Sequence, residues 1–155
     1  MKKVSLLLFL FICLAAVGVK AQTYQTALGA KFYSGDSYGG INIRHSTAEN
    51  TALEGALLFG GGGLGIEGLY EYQGPINGAP GLQYFVGGGG VLGFGNSWRD
   101  HDNSTSFALR LTGGVDYKFA DAPIAVSLGL DPFFYLVPSG WSNLSLGIGL
   151  RYVIK

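Results

Sequence analysis

Asn143-Leu-Ser-Leu-Gly-Ile-Gly-Leu-Arg-Tyr-Val-Ile-Lys155 closes the chain, and its reading decides the fold. Taken every second residue, one face carries Leu144, Leu146, Ile148, Leu150, Tyr152 and Ile154. The other carries Ser145, Gly147, Gly149, Arg151, Val153 and Lys155. Unbroken alternation of period two marks an extended strand with one apolar face. The twelve residues from Leu144 onward, at about 3.3 Å each, reach roughly 40 Å, longer than the usual strand of a globular domain. A tilted strand crossing a bilayer needs about 9–11 residues. The stretch therefore predicts a membrane-spanning strand, and the rest of the chain must supply its partners.

The preceding sequence repeats the pattern. Residues 24–32, 40–45, 52–59, 64–73, 82–95, 107–119 and 124–135 each alternate, with Leu69 as an exception on a polar face. Turn chemistry separates them at 34–39, 47–50, 60–63, 74–81 and 121–123, and 96–106 is the longest polar loop. Pro132 has no N–H for a ladder and predicts a bulge or the end of regular pairing, so 137–143 reads as a loop. No helical periodicity follows Gln22. Eight strands joined by short connections imply antiparallel neighbours. The expected fold is all-β: an eight-stranded antiparallel up-and-down transmembrane barrel with a polar, side-chain-filled lumen.

The charges select the inner face. Lys31, Arg44, Arg110, Lys118 and Arg151, with Glu54, Glu67, Glu71, Asp116 and Asp131, all fall on the polar faces of their strands. A charge turned toward lipid costs roughly 2–4 kcal/mol at the midplane. Eight strands enclose room only for side chains, and buried charges must pair. Five cations against five carboxylates thus predict a salt-bridged lumen. The aromatics give an independent indication. Alternating chain direction puts Tyr24, Tyr72, Tyr84, Tyr117, Phe119 and Tyr152 near one rim, and Phe32, Phe59, Phe94 and Phe107 near the other. Phe94 follows Tyr84 by ten residues, about 33 Å along a strand or roughly 25 Å of height when tilted, the spacing of two aromatic girdles. A soluble barrel of opposite sense would have to hold about ten rings in its interior and show water few charges.

The amino terminus predicts export. Met1-Lys-Lys3 is followed by an apolar run to Val19, and Val19-Lys-Ala21 offers small or modest residues at a cleavage site. Residues 1–21 read as a signal peptide cleaved after Ala21, and 22–155 as the barrel domain. The alternative, a membrane anchor, needs roughly 20 apolar residues. Cys13 lies within the discarded run, so no disulfide is expected. Loss of Lys2, Lys3 and Lys20 leaves seven basic residues against ten acidic, a formal charge of −3 that gives no reason to expect nucleic acid. Only 13% of residues are charged, against about 25% in a soluble domain.

Over residues 22–155 this pattern resembles the small eight-stranded outer-membrane β-barrel proteins of Gram-negative bacteria, the OmpX/OmpA-barrel-like family. Gly147-Ile-Gly-Leu-Arg-Tyr152 looks like the closing strand of that family, and Ala122-Pro-Ile-Ala-Val-Ser-Leu128 with Asp131-Pro132 like its penultimate hairpin. Ile154 stands where the family usually ends on an aromatic. The resemblance implies outer-membrane lipid as surroundings and insertion by the barrel assembly machinery. It places the turns after strands two, four and six in the periplasm and the other connections outside.

Little in the sequence points to a reaction. Gly63–Gly68 and Gly88–Gly93 both fit G-x-G-x-x-G, but period-two strands run through them where a phosphate site needs a helix start. Arg99-Asp-His-Asp102, beside Trp98, is a local cluster of titratable groups that reads as a solvated loop tip. The expected product is a monomer without cofactor, metal or catalytic residues, porin-like in architecture but plugged by its own side chains. Its role would be structural or surface-binding, with Trp98, Arg99, His101 and Trp141 as contact residues in the exterior loops. The alternatives are a lipid-modifying outer-membrane enzyme and a soluble periplasmic lipid-binding barrel.

Overall fold

A computed structural model describes residues 25–35, 38–60, 62–95, 105–137 and 139–154. Eight strands follow in order: β1 (Thr26–Tyr33), β2 (Tyr38–Ala48), β3 (Thr51–Gly60), β4 (Gly63–Pro75), β5 (Leu82–Gly95), β6 (Ser106–Lys118), β7 (Ile124–Val137) and β8 (Ser139–Val153). Each pairs antiparallel with its sequence neighbours, and β8 returns to β1 with Ala27 opposite Val153, closing the barrel. Stepping from partner to partner through Gly74, Tyr84, Val115, Leu128, Ile148, Phe32, Gly39 and Phe59 returns to β4 at Leu64, ten residues from the start. That stagger makes the strands tilt by about 40° and fixes a bore that only side chains fill.

The connections after β2, β4 and β6, with the first residues of β1 and the last of β8, form one end, here the turn end. The connections after β1, β3, β5 and β7 form the loop end. In the β4–β5 turn the Ile76 N–H donates to Leu82 O, and Gly78 and Gly81 both take φ +82°, a left-handed conformation that glycine adopts without strain.

The largest boundary differences from the sequence reading are in β2 and β8. β2 runs Tyr38–Ala48 rather than over 40–45, and β8 starts at Ser139, so 139–143 is strand and not loop. The cause at β8 lies at Pro132. Pairing with β8 runs on through Pro132↔Leu144, while the ladder to β6 skips from Gly113↔Leu130 to Arg110↔Phe133. The ring nitrogen has no hydrogen to give there, and the strand tolerates the gap because its other edge stays paired. β7 thus reaches Val137 and carries β8 with it. Both G-x-G-x-x-G stretches lie within strands β4 and β5. Along most strands burial alternates residue by residue, so the interior of the barrel is the core.

Candidate functional site

The lumen gathers most of the charged side chains singled out above. Lys31, Arg44, Arg110 and Arg151, with Glu54, Glu67, Glu71, Asp116 and Asp131, point inward and are buried. They do so because each shares the strand parity of its inward neighbours. Lys118, near the turn end of β6, is half-buried.

Six of these groups form one continuous chain. Lys31 Nζ donates to Glu54 Oε1 at 2.7 Å, and Arg151 Nη2 reaches Glu54 Oε2 at 2.7 Å. Arg151 Nη1 lies 3.2 Å from Asp116 Oδ1. Arg44 completes the chain, 3.5 Å from Asp116 Oδ2 and 2.7 Å from Glu71 Oε2. The groups come from β1, β3, β8, β6, β2 and β4, so the chain ties together strands distant in sequence. Each ion is desolvated, and alternating sign along the chain is what makes that burial tolerable.

A second cluster sits nearer the loop end. Arg110 Nε lies 2.8 Å from Glu67 Oε2, and the Tyr33 hydroxyl donates to Glu67 Oε1 at 2.7 Å. The Arg110 guanidinium is sandwiched, 3.7 Å from the Tyr33 ring centroid and 4.7 Å from that of Phe133. Phe133 and Tyr135 meet edge to face at 4.8 Å. Tyr38, Leu58 and Val91 complete an apolar stopper there. Asp131 is 1% exposed. Its carboxylate lies over Gly147, where a Cβ would collide with it and would also stand 3.4 Å from the Tyr33 ring, so the glycine makes the room.

Sequence reasoning missed this stopper. Tyr33 continues the parity of Lys31, Tyr38 that of Asn42 and Arg44, and Phe133 and Tyr135 that of Asp131. Extending each strand by its own parity would have turned all four rings inward. Phe85 is also inward, with Arg44 5.4 Å from its centroid, in a strand whose inner face reads as mostly small.

On the outer wall, Phe32, Phe59 and Phe94 are exposed toward the loop end, and Tyr72, Tyr84 and Tyr152 toward the turn end. Phe107, Tyr117 and Phe119 are half-buried. Tyr24, Trp98, Arg99 and His101 lie outside the described residues. Trp141 belongs to β8, which corrects its assignment to a loop. His45 is exposed near the turn end, its Nδ1 2.9 Å from Thr26 Oγ1. Among the described residues no group of three His, Cys, Asp or Glu is arranged to hold a metal ion.

No protein-family model matches the sequence, and no curated protein does. Among solved structures the chain is similar to the N-terminal β-barrel domain of Pseudomonas aeruginosa OprF, at 16% identity and a TM-score of 0.63, over 84% of this chain and 100% of that one. The fold is thus a closed eight-stranded antiparallel barrel like that of the OprF domain.

Proposed function

We propose that the chain is an integral outer-membrane barrel, non-enzymatic, that serves a structural or surface-binding role through its loop end. One observation carries this reading: the distribution of polarity is inverted. Large apolar side chains from all eight strands stand 37–59% exposed, while four cations and five carboxylates are buried inside. In water such a wall would be an apolar patch far beyond the few hundred Å² that soluble monomers expose. In lipid it is the favoured surface, and closure leaves no unpaired strand edge within the bilayer. A soluble lipid-binding barrel would need the opposite sense. The inner carboxylates engaged by arginines act as structural ions rather than acid–base groups.

On this reading residues 1–21 are removed as a signal peptide, and amino-terminal sequencing of the membrane-extracted protein should begin at Gln22. The assembly machinery inserts the barrel as a monomer with the turn end facing the periplasm. The deciding experiment compares gel migration of the outer-membrane extract boiled and unboiled. A heat-dependent shift is expected, because folded membrane barrels resist detergent until heated. Release in soluble form with no shift would sink the membrane reading.

A further inference from the structure

We infer that the outer wall carries a groove shaped for one acyl chain of a phospholipid in the leaflet at the turn end. The inference rests on the membrane reading above and adds a specific ligand to it. The groove, about 310 Å³, crosses the lower parts of β6, β7 and β8. Short side chains, among them Val115 and Val126, line it together with the rings of Tyr117 and Phe119. Tyr117 and Phe119 stand there edge to face, with centroids 4.9 Å apart and planes at 82°. Ala79 and Pro80 of the β4–β5 turn close the near end, and Ile148 marks the far end.

The turn is built to stay in that place. The Ala79 N–H donates to Ile76 O, the Leu82 N–H to Ala79 O, and the Lys118 N–H to Gly81 O. A Cβ on Gly81 would stand 2.7 Å from Lys118 O and 3.2 Å from the Tyr117 ring, so only glycine lets the turn press against the aromatic wall.

Position and chemistry name the occupant. The groove is continuous with the apolar belt and runs from the rim to Ile148, which pairs with Leu128 on one side and Phe32 on the other, well inside the wall. Its lining is almost wholly apolar carbon, so a peptide laid there would bring N–H and C=O groups with nothing to bond, whereas a hydrocarbon chain has none. A chain in the groove is covered on several sides rather than one, so its lipid leaves more slowly than one lying against the flat wall.

The test is native mass spectrometry of the full barrel, refolded into vesicles of phosphatidylethanolamine and phosphatidylglycerol and extracted in mild detergent. One retained phospholipid per barrel is expected. Val126→Trp, which fills the groove, should abolish the lipid-bound peak. Phe119→Ala, which removes a lining ring without adding bulk, should abolish it too and keeps the test decisive if the first variant folds poorly. Ile43→Trp, on a distant part of the wall, should keep it. A barrel that inserts and shows the heat shift but retains no lipid, or retains it equally in all three variants, overturns the groove and leaves the membrane reading standing. Failure of the unmodified chain to insert overturns both.

Discussion

Among the described residues, six charged side chains from six strands form one chain of ion pairs in the turn half of the lumen, whereas in the loop half rings fill the bore around the Arg110–Glu67 pair. The difference concerns specification. Ion pairs cost desolvation and gain only when every partner is in place, so they penalise a wrong strand order or a slipped register. Rings gain from contact in many arrangements and seal whatever bore the ions have fixed. The turn half should therefore break sharply when one group is lost, and the loop half more gradually.

The sharpest break is Glu54→Ala. Glu54 joins Lys31 to Arg151; its loss takes from buried Lys31 the carboxylate it donates to and leaves Arg151 to Asp116. Denaturant unfolding in lipid vesicles, read as the folded fraction on unboiled gels, should show a loss of about 3–5 kcal/mol. A loss below about 1 kcal/mol would mean that the chain is ornamental and that the apolar contacts fix the register alone. Tyr33→Phe is the counterpart in the loop half. It keeps the ring under Arg110 and deletes only the hydroxyl that Glu67 accepts. The same measurement should fall by about 1.5–3 kcal/mol, the worth of a hydrogen bond to a charged group.

The two halves were not equally legible. Every charge in the ion chain was readable because an ionised side chain on a period-two strand has one tolerable side, and Lys31, Arg44, Glu54, Glu71, Asp116 and Arg151 all lie within the strands. The stopper was hidden because an aromatic is tolerated on either side of this wall. Tyr33 and Tyr38 also sit at strand ends beside turn residues, where turn chemistry masks the alternation. Pro132 misled in the same region: the rule against proline in a ladder holds for the β6 edge, but the β8 edge carries the strand onward. Which cation meets which carboxylate was not readable, because partners such as Arg151 and Glu54, 97 residues apart, depend on the stagger of the whole barrel.

Asp131 sharpens the comparison through the sign of its effect. Among the described residues neither of its carboxylate oxygens has a hydrogen-bond partner, although the side chain is buried. A buried charge without a partner is a cost, and an amide of the same shape removes the charge while keeping the packing over Gly147. Asp131→Asn should raise stability by roughly 1 kcal/mol, where Glu54→Gln lowers it. A fall for Asp131→Asn would show that its charge is matched through space by the nearby cations and that the lumen is balanced as one body.

The smallest expected effect asks whether the halves are separate at all. Lys31 is the point of contact: its Nζ donates to Glu54 and lies 5.2 Å from the centroid of the Tyr33 ring. Glu71, at the opposite end of the ion chain, is linked to Lys31 by contacts through Arg44, Asp116, Arg151 and Glu54. Two double-mutant cycles separate the cases. Tyr33→Phe with Glu71→Gln should be additive to within about 0.5 kcal/mol, as expected of sites without a shared partner. Tyr33→Phe with Glu54→Gln should depart from additivity by more than that, because both act on the charge of Lys31. Equal coupling in the two cycles would mean that the strain of a lost ion travels the length of the chain, and the lumen would then have to be treated as one cooperative network with an aromatic cap rather than as two halves joined at one lysine.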